Sequence, residues 1–301
     1  MRLRAPDVAI SHRLRPPPYG GSNQFLLALR GELERRGLRV SDGRLPRRAR
    51  AVILHAYLLD GRVPRRARVV HRVDGPIQLY RGHDDGADER IVELNRALAD
   101  LTIFQSRWSV EAHRELGIEL REPVVIPNAV DPAIFFPAAE CKPLAGRRVR
   151  VVATSWSDNP RKGAETYAWL ARSLDRDRYE LTFVGRAALP VEAEHTLQPL
   201  PSAELAEVLR RQDVYVTASL NDPCSNALLE ALACGLPALY AESGGHAELV
   251  HEAGLGFDDR EELPELLDRL VAELEERRAA IRIPALHEVA DRYLEALDVR
   301  P

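Results

Sequence analysis

Apolar positions along the chain fall into two alternating rhythms. In the first half, VAIS (8–11), AVILH (51–55), RVVHRV (68–73), LTIFQ (101–105) and PVVIPN (123–128) are short, β-branched runs of the kind that form buried strands. Between them, residues at about 22–36, 87–99 and 107–116 carry apolar side chains at helical spacing, and Gly37 closes the first of these. The pattern restarts with RRVRVVATS (147–155), ELTFVG (180–185), VYVTAS (214–219) and PALYA (237–241). Helices are expected at about 163–173, 202–211, 223–233 and 245–252, and an acidic stretch at 261–279 presents leucines 263, 266, 267, 270 and 274 on one face. Strands alternating with helices predict a mostly parallel sheet, and the restart predicts two doubly wound α/β domains.

Between the halves, DPAIFFPAAECKPLAG (131–146) holds three prolines and breaks the periodicity. It reads as a linker, with Phe135 and Phe136 packing against one of its neighbours. The expected division is a first domain over 1–135, a linker over 136–146 and a second domain over 147–301. A length of 301 residues suits two cores, with a single large α/β barrel as the competing architecture. With two doubly wound domains, ligands are expected beyond the carboxyl ends of the strands, and between the domains if the two crevices face one another.

Composition narrows the class. Apolar residues at 45% and charged residues at 29% describe an ordinary globular chain. No run approaches the roughly 18 consecutive apolar residues of a membrane-spanning helix, and the opening residues contain no signal-peptide segment, which together give a cytoplasmic expectation. Cys141, Cys224 and Cys234 lack metal-ligand spacing, the nine histidines are scattered, and no metal site is expected. Cys224 and Cys234 read as core thiols beside a helix. The net charge of −4 conceals an asymmetry: residues 1–50 hold twelve arginines against four acids, and residues 251–301 fourteen acids against seven arginines. The basic end suits phosphate groups or an anionic surface, or simply solvates a face. Only two lysines occur, Lys142 and Lys162, and the second stands in a glycine-bounded loop.

Five segments carry candidate chemistry. In PPPYGGSNQF (16–25), Tyr19, Gly20 and Gly21 lie between a strand and a helix, where backbone can approach phosphate, although the GxGxxG spacing is missing. SWSDNPRKG (155–163) places Ser157, Arg161 and Lys162 in a strand-to-helix loop, with two cations suited to a diphosphate. In NDPCSNALLEALACG (221–235), Asp222 is expected to cap a helix beginning with Pro223, and Gly235 to end it. Asp222 and Glu230 are eight residues apart, about 12 Å along a helix axis, which is too far for a carboxylate pair on one glycosidic bond and suited to two ends of an extended ligand. On a nucleoside diphosphate sugar, Asp222 would take sugar hydroxyls, backbone N–H groups near Ser225 and Asn226 the diphosphate, and Glu230 the ribose. ESGGHAELV (242–250) adds Gly244, Gly245, a solvent-facing His246 and Glu248 in a first helical turn. HRVDG (71–75) puts His71 and Asp74 at a strand end, suited to orienting an acceptor hydroxyl or, for Asp74, to capping a turn.

Over nearly its whole length the chain resembles the retaining, nucleotide-sugar-dependent glycosyltransferases of group 1, similar to glycosyltransferase family 4, with the GT-B architecture of two facing Rossmann-like domains. The resemblance rests on the YGG loop, VIPNAVDPAIFFP (125–137), the PRKG loop and DPCSNALLEALACGLPALYAESGGHAELV (222–250). Where that family carries two glutamates eight residues apart, this chain has Asp222 and Glu230. The resemblance assigns Gly21 to the donor-phosphate side, Lys162 to the diphosphate, Glu230 to the ribose and His71 to the acceptor side. The family's loop arginine would fall near Ser157, whereas here Arg161 adjoins Lys162. What it implies is metal-independent transfer of a hexose-type sugar, with retention, from a nucleoside diphosphate donor to an acceptor hydroxyl. Arg161, Lys162, Asp222 and His71 would form the catalytic set. The donor is a co-substrate and no cofactor is expected. The acceptor is hydroxyl-bearing, such as a glycan or lipid-linked glycan; nucleic acid is not expected, and there is room for an oligomer and for contact with the inner membrane face. A sugar-nucleotide epimerase using His71 and Asp74, and a non-catalytic sugar-nucleotide-binding subunit, are the alternative readings.

Overall fold

The computed structural model describes residues 5–16, 18–139 and 143–301, so Cys141 and Lys142 lie outside the described residues. The chain forms two compact units, one comprising residues 1–16, 22–129 and 284–301, the other residues 17–21 and 130–283.

The first unit is built on β1 (Val8–Ile10), β2 (Val40–Asp42), β3 (Ala51–His55), β4 (Arg68–Arg72), β5 (Leu101–Phe104) and β6 (Pro123–Val125). All pair in parallel, in the order β2-β1-β3-β4-β5-β6. The central strands β1 and β3 are buried throughout, which is why their sequences are continuous apolar runs. Helix Gly21–Arg35 turns Phe25, Leu26, Leu29 and Leu33 into the core beside Val8, Ile10 and Ile53.

The second unit contains β7 (Val149–Ser155), β8 (Tyr179–Gly185), β9 (His195–Leu197), β10 (Val214–Thr217), β11 (Ala238–Ala241) and β12 (Gly254–Phe257). These also pair in parallel, in the order β12-β11-β10-β7-β8-β9. Successive connections leave β7 on one side and return at β10 on the other, so the switch point of this sheet lies at the carboxyl ends of β7 and β10.

The expected division needs correction at the C-terminus. Helix Leu286–Leu297 belongs to the first unit, where Leu286, Val289, Tyr293, Leu294 and Leu297 join the core around Phe25. The acidic region before it does stay in the second unit, as two helices, Leu263–Ala272 and Leu274–Ala279, with Leu263, Leu267, Leu270 and Leu274 buried. In the expected linker, Phe135 is buried in the second unit, whereas Phe136 is exposed beneath the Arg210 guanidinium, 4.3 Å from its ring centroid. Three edge strands, β2, β9 and β12, were not expected from the sequence. β2 and β9 have no fully buried residue. β12 reads GLGF, but its first glycine is a packing requirement: a Cβ on Gly254 would stand 2.0 Å from the Ala238 carbonyl oxygen.

Candidate functional site

At the switch point of the second unit, two loops are tied together before any side chain is considered. The loop after β7 closes in a 3-10 turn, Pro160–Lys162, capped by Asn159 Oδ1 accepting from the Arg161 N–H at 2.9 Å. Gly163 follows with φ of +83°, and a Cβ there would come within 2.6 Å of the Ala218 carbonyl oxygen just past β10. The Leu220 N–H then donates to the Arg161 carbonyl at 2.7 Å, and the Ala218 N–H to the buried Tyr167 hydroxyl at 3.0 Å. These contacts deliver Lys162 and Asp222 to one point, where Lys162 Nζ donates to Asp222 Oδ2 at 2.7 Å.

Asp222 therefore does not cap a helix. Its other oxygen, Oδ1, accepts from the Cys224 N–H at 3.2 Å, while the helix itself runs Asn226–Ala233 and is capped by Ser225 Oγ accepting from the Leu228 N–H. Ser225 takes the cap because it directly precedes the first helical residue, whereas Asp222 lies three residues earlier. Gly235 does end the segment in the left-handed region, at φ of +85°, as expected. Burial pushes the Asp222 carboxyl up, but attraction to Lys162, with hydrogen bonds from Lys162 and the Cys224 N–H, holds it below the ordinary carboxylate range. The ion pair keeps some access to solvent, with side chains 23% and 12% exposed for Lys162 and Asp222.

The loop after β11 closes the far side. The Gly245 N–H donates to the Asp222 carbonyl at 2.8 Å, and a Cβ on Gly244, at φ of +72°, would stand 2.3 Å from that same oxygen. Glu248 lies in the first turn of helix His246–Val250, as expected. His246 is not solvent-facing: it is fully buried, its Nδ1–H donates to the Ala241 carbonyl at 3.0 Å, and its Nε2 accepts from Ser219 Oγ at 3.1 Å. Burial pushes its imidazole below the ordinary value, which leaves it a neutral strut beneath Asp222.

Glu230 is a different kind of acid. It is buried one helical turn beyond Asn226, no cation among the described residues pairs with it, and burial pushes its carboxyl up to about 8. At neutral pH it stands protonated, able both to donate and to accept.

Residues 18–21 cluster with this unit. A Cβ on Gly21 would lie 2.7 Å from Asn226 Nδ2, so the second glycine of YGG packs closely on the side chain at the helix start, and a larger residue would make Asn226 shift. Tyr19 and Gly20 stand against Trp156, with a Tyr19–Trp156 centroid distance of 6.5 Å. Ser157 is neutral, and its Oγ accepts from the Asn159 N–H. A third cation reaches this loop from the next strand: Arg186, following β8, lies 5.4 Å over the Trp156 ring, and its Nε donates to the Trp156 carbonyl at 2.9 Å. The sequence reading missed Arg186, whose only signal was its place directly after FVG at a strand end.

At the carboxyl edge of the first unit, His71 does not have the geometry of an acceptor contact. It is fully buried on β4, its Nε2–H donates to the Ala56 carbonyl at 2.7 Å, its Nδ1 accepts from Asn95 Nδ2 at 3.1 Å, and burial pushes it down to about 4. Strand alternation points this side chain into the layer beneath the sheet. The neighbour that sequence reasoning passed over, Arg72, organises the edge instead. Fully buried, it donates to Asp74 Oδ1 at 2.7 Å, to Asn128 Oδ1 at 2.9 Å and to His55 Nδ1 at 3.2 Å. Asp74 also accepts from Ser22 Oγ at 2.9 Å, and its side chain remains 26% exposed. Burial pushes Asp74 up, and Arg72 with the Ser22 hydrogen bond brings it below the usual range.

One carboxylate-histidine cluster, Glu180, Glu194 and His195, has metal-like spacing among the described residues. It lies near the amino ends of β8 and β9, and Arg148 donates to both carboxylates.

The chain is similar to several known proteins. Residues 149–273 match the family model described as glycosyl transferases group 1. A 93-residue stretch is 29% identical to glycosyltransferase 1 domain-containing protein 1 of Xenopus tropicalis, covering 30% of this chain and 27% of that protein, so the chain matches about a quarter of that relative's length. Among solved structures, sucrose-phosphate synthase from Thermosynechococcus elongatus superposes with a TM-score of 0.69 at 17% identity, over 98% of this chain and 95% of that one. WaaG, a glycosyltransferase involved in lipopolysaccharide biosynthesis, gives 0.67 at 15%, covering 96% and 99%. Anabaena HepE in complex with UDP-glucose gives 0.66 at 16%, covering 96% and 94%. The fold is the GT-B fold of glycosyltransferases. The matched residues 149–273 include the PRKG loop and the Asp222-to-Glu230 segment.

Proposed function

We propose that the protein transfers a hexose-type sugar from a nucleoside diphosphate donor to an acceptor hydroxyl, with retention at the anomeric carbon and without a required metal. The observation that carries this reading is the Lys162–Asp222 pair at the switch point of a group 1 domain, because it sets a cation for phosphate beside an acid for sugar hydroxyls. Lys162 and Arg161 take the charge that develops on the departing diphosphate, with Arg186 supplying the arginine that the loop lacks at Ser157. Backbone N–H groups near Ser225 and Asn226 at the helix start receive phosphate oxygens, and Gly20, Gly21, Gly244 and Gly245 keep the approach open. Asp222 accepts from the sugar hydroxyls and Glu230 bonds the ribose hydroxyls. HepE has been solved with UDP-glucose, which makes a uridine donor the first to test.

Asp74 is the acceptor-side group in this proposal. It is ionised, partly exposed and fixed by Arg72, so it can accept a hydrogen bond from an incoming hydroxyl. The acceptor is a hydroxyl-bearing glycan or lipid-linked glycan, and the protein works on the cytoplasmic side. No described helix is long and apolar enough to cross a membrane.

Incubation with a panel of nucleoside diphosphate sugars and acceptors, followed by mass analysis of products, tests the reading. Glycosylated acceptor that forms with chelator present supports it, and the anomeric configuration of that product tests retention. An altered sugar nucleotide would make the protein an epimerase, and donor binding with no product across the panel would make it a binding subunit.

A further inference from the structure

The loops that leave β1, β2 and β3 are tied to one another at the carboxyl edge of the first sheet. The Gly43 N–H donates to the carbonyls of Ile10 at 3.0 Å and His12 at 3.2 Å, the Leu14 N–H to Asp42 Oδ2 at 3.0 Å, and the Leu45 N–H to the Asp60 carbonyl at 2.9 Å. A buried side chain braces the next residue: Asn23 Oδ1 accepts from the Arg15 N–H at 2.8 Å, and its Nδ2 donates to the Arg15 carbonyl at 2.9 Å. This bracing carries three exposed arginines, Arg13, Arg15 and Arg44. The acids beside them give little in return. Asp42 is committed to Arg30 Nη1 at 2.6 Å and to the Leu14 N–H, and Asp60 meets Arg44 only at 3.9 Å. Among the described residues, no carboxylate pairs with Arg13.

The field at this rim is positive and extends toward Asp74. Burial holds the half-buried His12 imidazole below its ordinary value, and the charges of Arg15 and Arg72 push it the same way against Asp42. The His12 ring stands 5.3 Å from that of His55, and His55 Nδ1 accepts from the same Arg72 guanidinium that fixes Asp74. In the sheet order, β3 alone separates β1 from β4, so the rim begins about 10 Å from the end of β4, two strand spacings away.

We propose that the acceptor carries an anionic group, a phosphate monoester or a carboxylate, which seats on Arg13 and Arg15 while its hydroxyl meets Asp74. The inference rests on the acceptor-side role proposed for Asp74 and adds the chemical class of the acceptor. A guanidinium contacts two oxygens of either anion at once. Loops already fixed by backbone hydrogen bonds lose less freedom on binding than mobile ones, so the two arginines are presented at low entropic cost. The span from β1 to β4 keeps the anion away from the reacting hydroxyl, so the rim selects the acceptor without entering the chemistry.

Calorimetric titration in saturating UDP, which keeps the probes off the proposed diphosphate site, compares glucose, glucose 6-phosphate and glucuronate. At least one charged probe is expected to bind about tenfold or more tighter than glucose, as hydrogen bonds to a charged group allow. The advantage should shrink as salt rises, and the probe that gains more tells phosphate from carboxylate. Arg13→Gln/Arg15→Gln should lose that advantage while its UDP affinity stays at the wild-type value, and Arg13→Lys/Arg15→Lys should keep most of it. Both side chains are exposed, so neither pair of substitutions threatens the fold. Equal binding of neutral and charged probes overturns the proposal, and so does an advantage that survives Arg13→Gln/Arg15→Gln. Failure to bind UDP counts against the transfer reading alone, because the preference for charged probes is read without it.

Discussion

The carboxyl edges of the two sheets hold their charges in opposite ways. In the first unit, Arg72 is completely enclosed and spends its guanidinium on Asp74, Asn128 and His55, so the edge presents one oriented carboxylate over an uncharged base. In the second, Lys162 and Asp222 meet at the rim and stay partly open, with a neutral His246 behind them. The first arrangement is a scaffold in which the charge is fixed by burial. The second is a pair that stays open to competition; under the proposed function, a diphosphate would displace Asp222 from Lys162 and leave the acid free for a hydroxyl. Burial thus separates a structural ion pair from an exchangeable one, although both are short charge-assisted hydrogen bonds.

The sharpest way to break that contrast is to remove each cation. Arg72→Leu leaves Asp74 without its buried partner and should cost about 3–5 kcal/mol in urea-induced unfolding. Lys162→Leu, at the more open pair, should cost no more than about half as much. Equal losses at both positions would falsify the distinction between them.

Glu230 offers a second, oppositely signed comparison with Asp222. The Glu230 carboxyl is pushed up to about 8 in the folded chain, so its stabilising contribution is complete below its unfolded value near 4.5 and is lost as pH rises toward 8. Glu230→Gln cannot ionise, and at pH 7 it should be more stable than wild type by on the order of 2–3 kcal/mol, with the gap closing as pH falls to 4. Thermal melts across that range check it, and a variant that is less stable at every pH would remove the uncharged-acid description. Under the proposed ribose role, the same substitution should weaken nucleoside diphosphate binding while it stabilises the fold.

Lys162→Ala should reduce affinity for UDP on the order of a hundredfold, read by calorimetry, because a point charge on the diphosphate is lost. Arg186→Ala should lose about tenfold if its guanidinium contributes. The smallest expected effect is Asp222→Asn, which keeps the contact to the Cys224 N–H and loses about 1 kcal/mol of stability at neutral pH. Because Asp222 is held below the ordinary range, that stability is present above about pH 4 and is lost as pH falls and the acid titrates, so the gap between wild type and Asp222→Asn should narrow in acid. Transfer, by contrast, should fall with the donor sugar's identity and not with stability.

Much of this was legible in the chain itself. Central strands such as AVILH and VYVT announce themselves because both faces are buried and all but the last position is apolar or aromatic, and the restart after residue 146 marks a second sheet. The PRKG loop and the segment from Asp222 to Gly235 could be singled out because glycine, a cation and a helix start follow a strand there; their phosphate-facing role belongs to the proposed function. Of the four edge strands, β2, β9 and β12 left no comparable trace. VSD and HTL are half-solvated, and their pairing comes from a neighbour's backbone.

What the sequence determined by itself was therefore the periodic part: two α/β repeats, their central strands and the residue types gathered at strand ends. Only the tertiary structure decided which of those residues share a contact. It took Asp222 from the helix cap and gave it to Lys162, buried His71 and His246 where the sequence had them facing ligand or solvent, and returned helix Leu286–Leu297 to the first unit. The reason is physical: periodicity reports how one segment meets an average interior, whereas a hydrogen bond between residues 60 positions apart depends on where two loops leave two different strands.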